Sequence, residues 1–184
     1  MADSYEIALF LHIVGVFGIA GAAVSFWIAM SVLRRIPTVQ EMRSWSTLAV
    51  WSDRAFPASA VLVLAAGAFM VEDVDWGWGT GWINTSLIAL IVMGAGGGLL
   101  MTPRVRKIHD AAAAAPDGPV SADVRALVND PILWGTLHAF TLGLFGIIWN
   151  MTTKPGDAHA GMVILLAFVL GAASAYPMFI RARD

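Results

Sequence analysis

Ten of the eleven Lys and Arg residues fall on one side of a pattern of five long apolar runs. Arg34, Arg35, Arg43 and Arg54 follow the first run, and Arg104, Arg106, Lys107 and Arg125 follow the third. Arg181 and Arg183 end the chain, and Lys154 alone lies in a segment of opposite parity. Runs of about 20 apolar residues fit a bilayer, where the backbone must satisfy its own hydrogen bonds and so forms helices. The basic connections are the ones retained in the cytoplasm, so the asymmetry also orients the chain. The expected fold is therefore an all-α bundle of five transmembrane helices, with the N-terminus outside and the C-terminus cytoplasmic.

Composition agrees. Of 184 residues, 58% are hydrophobic and only 13% charged, and the mean hydropathy is +0.73. A water-soluble domain with so little charge would expose one continuous apolar patch. Cysteine is absent, which excludes disulfides, thiolate metal sites and a thiol nucleophile. No basic stripe alternates with aromatics, so nucleic acid is not an expected partner. The first residues, Asp3-Ser4-Tyr5-Glu6, are acidic where a secretory leader would be basic, so the first run reads as a span that is kept.

The spans are expected at Ile7 to Leu33, about Ser52 to Val71, Trp82 to Met101, Pro131 to Met151 and about His159 to Ile180. They form a single transmembrane domain, 1–184. Pro57 would lie in the first turns of the second span, where its missing N–H is tolerated. The longest polar stretch, 102–130, is a cytoplasmic loop in this reading. Within it, Ala111 to Ala115 extends the third helix, Pro116 to Pro119 turns, and Ser121 to Asn129 makes a short amphipathic helix. With this topology Trp76, Trp78, Trp82 and Trp149 gather at the outer interface and Trp45, Trp51 and Trp134 near the inner one, an aromatic belt.

Small residues predict how the spans pack. Gly15, Gly18, Ala22 and Ser25 form a seam in the first span, and Gly94 to Gly98 and Gly171 to Ala175 form runs in the third and fifth. In a bilayer, close van der Waals approach replaces the hydrophobic drive between helices. The run from Gly94 to Gly98 serves either a compact bundle or a flat cofactor or partner helix.

Ionisable groups at membrane depth are the candidate functional residues, and neutral histidine can ligate haem iron, copper or zinc. His109 belongs to the basic loop as solvated surface. At 1.5 Å per residue, His12 lies roughly 10 Å and His159 about 15 Å outside the midplane, whereas His138 lies roughly 5 Å inside it. Iron separates its two axial ligands by only about 4 Å. A haem b or copper site therefore pairs His12 with His159, with Asp157 as a further oxygen ligand. The alternative is that His12 bonds a neighbouring carbonyl beside the Gly15 seam and His159 caps a helix. His138 shares a helix face with Trp134, Leu142, Phe145 and Trp149, which reads either as a second cofactor-binding pocket or as packing and lipid contact. Lys154 stands beside Pro155, within reach of Asp157. Asn84-Thr85-Ser86 and Asn150-Met151-Thr152 fit the glycosylation pattern but lie at the membrane boundary and are taken as chance matches.

Several segments resemble a family of small bacterial integral membrane proteins of unknown function. They are Leu11-His12-Ile13-Val14-Gly15, Leu33-Arg34-Arg35, Asp53 to Pro57, Pro103-Arg104-Val105-Arg106 and Asn150-Met151-Thr152-Thr153-Lys154-Pro155. More loosely, His12 and its glycine neighbours look like copper-resistance membrane proteins of the D type, a likeness that implies copper handling through histidine. Three functions stand open on these grounds. The first is a non-enzymatic accessory or binding subunit of the bacterial cell (inner) membrane, packed against a partner membrane subunit or its own copies. The second is a haem or copper binder, and the third a small-solute transporter, which the scarcity of intramembrane charge disfavours.

Overall fold

The computed structural model describes residues 3–180. Among them are eight helices: α1 (Ser4–Leu33), α2 (Val39–Asp73), α3 (Gly81–Gly96), α4 (Thr102–Ala114), α5 (Ala122–Val128), α6 (Pro131–Thr153), α7 (Asp157–Ser174) and α8 (Tyr176–Ile180). Five helical stretches are long and apolar enough to cross a membrane: Ser4–Leu33, Val39–Asp73, Gly81–Ala114, Ala122–Thr153 and Asp157–Met178. The protein is all-helical and multi-pass. The basic ending Arg181 and Arg183 lies outside the described residues.

The helix starts follow from short-range chemistry. Asp3 and Glu6 form a capping box, each side chain accepting from the other's backbone N–H, which satisfies orphan donors of the first turn. Asp130 accepts from Ile132 N and Leu133 N at 2.7 and 3.0 Å, with Pro131 at the first helical position, where proline is pre-shaped. Lys154 ends α6 in the left-handed region at φ 46°.

Helix α2 begins at Val39, well before Ser52, and carries Pro57 in its interior. Proline there removes the bond to the carbonyl of Asp53, four residues back. At 1.5 Å per residue, α2 is about 50 Å long against a hydrocarbon core of about 30 Å. Its first turns therefore stand outside the apolar zone. The stretch 102–130 holds two helices, α4, which continues the third helix, and the short α5 expected near Ser121 to Asn129, joined by a turn whose Gly118 has φ 137°. Helix α3 runs into α4 through a π-helical turn, Gly97–Met101. That wider turn sets Met101, Val105, Ile108 and Ala112 on one buried face.

These extensions make a packed head at the basic end of the bundle. Its core includes Phe26, Met30 and Leu33 of α1, Met42 of α2, Ile108 of α4 and Trp134 of α6. Helices α2 and α4 run antiparallel in one register. Arg43 bonds Ala112 O, Ser46 bonds His109, and Asp53 accepts from Thr102, so each step of three or seven residues along α2 is matched by the same step back along α4. Two arginines close the head by capping helix C-termini, where the last carbonyls lack helical partners. Arg125 donates to Leu33 O, Arg34 O and Ile36 O at 3.4, 3.0 and 2.6 Å. Arg43 donates to Ala112 O and Ala115 O at 3.1 and 2.7 Å.

Within the spans, glycine sets the helix pairs. A methyl on Gly15 would lie 2.7 Å from Val63 Cγ2 and 3.1 Å from Ser59 O, and one on Gly18 would meet the Ser59 hydroxyl. This is the α1–α2 seam. On α7, a methyl on Gly171 would lie 2.6 Å from His138 O and 2.7 Å from Ala139 Cα. On α6, one on Gly143 would lie 2.9 Å from the Phe168 ring. Of the run from Gly94 to Gly98, Gly96 packs on Phe140, whereas Gly94, Gly97 and Gly98 face open space.

Candidate functional site

The richest polar and aromatic grouping at membrane depth surrounds His138 on α6. Helix α1 reaches it through the indole of Trp27. Trp27 Nε1 donates to Thr141 Oγ1 at 2.6 Å, and its ring lies 4.8 Å from the His138 ring and 5.8 Å, edge-on, from Trp134. Trp134 Nε1 donates to Val128 O at 2.7 Å. The Arg34 guanidinium covers the Trp134 ring at 4.8 Å, a cation–π contact. Arg34 Nε also donates to Asn129 Oδ1 at 3.0 Å, which fixes it as the lid on the basic side. From α7, Ser174 Oγ stands 2.8 Å from His138 Nδ1. Gly171 makes this approach feasible, because a side chain there would strike the α6 backbone.

The hydrogen bonds assign the tautomer. Gly171 O, 2.7 Å from Ser174 Oγ, can only accept, so the arrangement that makes both bonds has Ser174 donate to Gly171 O and accept from His138. In the neutral ring Nδ1 then carries the proton, and Nε2 holds a bare lone pair. That Nε2 is buried and has no hydrogen-bond partner. A histidine whose Nδ1–H is held by an oxygen and whose Nε2 is free is set up to ligate a metal or to accept an N–H or O–H.

The outer histidines have other neighbours. His12 Nδ1 lies 2.9 Å from Val63 O, and a carbonyl can only accept. Nδ1 is therefore the protonated nitrogen here too. The ring rests on α2, where a methyl on Gly67 would come within 3.3 Å of it. His12 thus bonds a carbonyl beside the Gly15 seam. His159 is exposed on α7, and no side chain caps that helix start. Asp157 accepts from Gly81 N at 3.0 Å, tying the start of α7 to that of α3. The structure therefore engages His12 with α2 and Asp157 with α3. Among the described residues, no group of three or more His, Cys, Asp or Glu side chains could hold a metal ion. His12 precedes Trp27, the neighbour of His138, by fifteen residues of α1, about 22 Å along the helix.

Three other residues have neighbours that the sequence left unassigned. Lys154 lies 4.4 Å from the Trp76 ring and 5.5 Å from Trp82. His109, read as solvated surface, is half-buried with Nδ1 3.2 Å from Ser46 Oγ. Asn150 is fully buried and donates to Ala160 O at 3.2 Å and Thr85 Oγ1 at 3.3 Å, a polar tie across three spans rather than a glycosylation site. Sequence reasoning singled out the Trp134–His138 stripe but missed Trp27, Thr141, Ser174 and Arg34 as its neighbours. The signal for Ser174 was present, as the one hydroxyl in an otherwise aliphatic run from Gly171 to Ala175.

No curated protein and no solved structure matches the chain. A family model does match, over residues 6–155, and its description reads "Predicted integral membrane protein (DUF2269)". That stretch takes in all of α2 to α6 and the residues from Glu6 to the end of α1. Five membrane-length apolar helices and this match over most of the sequence agree, and the chain belongs to that family of predicted integral membrane proteins.

Proposed function

We propose that the protein is a non-catalytic binding subunit of the bacterial inner membrane, with His138 as the group that meets its ligand. The observation that carries this reading is the bare, buried Nε2 of His138, its tautomer fixed by Ser174 and its ring walled by Trp27 and Trp134. An electron-pair acceptor answers such a nitrogen, and haem b iron or a copper ion is the direct test. The protein purified in detergent from metal-replete cells is expected to carry a Soret band or stoichiometric copper. His138→Ala should abolish either signal, and His12→Ala and His159→Ala should leave it. A colourless, metal-free preparation would overturn metal ligation by His138. Loss of the signal on changing His12 or His159 instead would place the ligand at the outer histidines.

The membrane and orientation belong to the same proposal. The head incorporates Arg34, Arg43, Arg104 and Arg125, and basic segments stay in the cytoplasm during insertion. This supports a cytoplasmic head and an outer N-terminus. A reporter that works only in the cytoplasm should be active when fused after Asp184 or inserted between Asp117 and Gly118. It should be silent between Trp78 and Gly79. The reverse pattern would invert the topology.

A further inference from the structure

The basic residues of the head divide into two sets. Arg34, Arg43, Arg104 and Arg125 are engaged by Asn129 and Trp134, Asp117 and carbonyls, Asp130, and the end of α1 respectively. Arg35, Arg54, Arg106 and Lys107 are exposed, and the ion pairs among the described residues use none of them. Two of these four stand together. Asp53 accepts from Thr102 Oγ1 at 2.8 Å on the α2–α4 seam. Arg54 adjoins Asp53 in sequence, and Arg106 lies one turn beyond Thr102. The antiparallel register of α2 and α4 therefore sets both arginines beside this seam, within about two helical turns of each other along the axes. The Arg54 guanidinium also lies 5.7 Å from the ring of Trp51, a tryptophan 63% exposed.

The depth of this group is set by the chain. After Arg54, α2 carries no charge until Glu72, and Gly81 to Met101 carries none at all. Arg54 and Arg106 therefore stand where the hydrocarbon ends and lipid phosphates begin. Two guanidinium groups and one carboxylate give a net charge of +1, the complement of a singly charged phosphodiester. Guanidinium matches its two free oxygens bidentately, and an interfacial indole beside it suits the boundary between headgroup and acyl chain.

We propose that Arg54 and Arg106, beside Asp53 on the α2–α4 seam and flanked by Trp51, form a binding site for the phosphodiester headgroup of an anionic phospholipid. The full chain in mixed phosphatidylglycerol and phosphatidylcholine nanodiscs, released into a mass spectrometer, is the test. Phosphatidylglycerol should be retained in preference, by roughly thirtyfold for two arginines near the surface. Arg54→Gln with Arg106→Gln should abolish the preference. Arg35→Gln with Lys107→Gln, the same charge change elsewhere on the head, should keep it. Matched melting temperatures for the two double variants show that the loss is not unfolding. No preference in the unmodified chain, or equal loss in both double variants, would overturn the site. Displacement of the lipid by inorganic phosphate at constant ionic strength would assign it to a free anion instead.

Discussion

Gly171→Leu is expected to force α7 away from α6 and to lower stability by about 3 kcal/mol, the upper end of the usual cost of overpacking. The reason is what a side chain at Gly171 would meet. His138 O at 2.6 Å and Ala139 Cα at 2.7 Å are backbone atoms of α6, and no rotamer change moves them aside. Gly94→Leu and Gly97→Leu supply the contrast, because the same added atoms enter open space and should change stability little. Thermal unfolding in a single detergent compares the three. Equal shifts would mean that the α6–α7 contact is not what Gly171 serves. Separation of the helices also carries Ser174 off His138, so any ligand signal that depends on His138 should fall in Gly171→Leu and persist in Gly94→Leu.

The contrast between Gly171 and Gly94 also marks where sequence reading stops. The five spans, the charge asymmetry and the Gly15–Gly18 seam are legible because each depends on residues close in the chain. Which helix a seam faces is not. In water, an amphipathic stripe would show the buried side. These spans are apolar all round, so nothing in α1 names Ser59 and Val63 as the partners of its glycines. The His138 site has the same difficulty, with Trp27 coming from α1 and Ser174 from α7. Depth along a helix can be estimated from sequence, and it sets His138 apart from His12, but lateral neighbours cannot.

The part of the head built from α2 is hidden for a different reason. Val39 to Ser52 is too polar for a span, and on span length alone it reads as connection. Yet Val39, Met42, Ser46, Ala49 and Val50 recur at helical spacing and are all buried, as are Met101, Val105, Ile108 and Ala112 across the π turn and α4. This is the amphipathic period of a water-facing helix, which span length as a criterion does not pick out.

Arg125→Ala is the second large effect expected, because one guanidinium holds the exit of α1. It donates to Leu33 O, Arg34 O and Ile36 O, carbonyls at a helix end with no helical donor of their own. Hydrogen bonds from a charged donor are worth about 1.5–3 kcal/mol each at best. The residue is half-buried, so solvent replaces part of that. A net loss of about 3 kcal/mol follows, with faster hydrogen exchange in α5 and the last turn of α1. Arg125→Lys should recover less than half, since an ammonium on a flexible stem cannot fork to three acceptors in fixed directions. Asp117→Asn tests the other arginine clip from its weak side. Its ion pair with Arg43 is exposed, and such pairs contribute about 1 kcal/mol or less, so the bonds from Arg43 to Ala112 O and Ala115 O should survive. Wild-type unfolding in Arg125→Ala would show that α1 ends without its clip. The expected loss means that the arginines which mark the basic side of the chain also fasten the helices that meet there, so removing their charge weakens the fold along with the orientation signal.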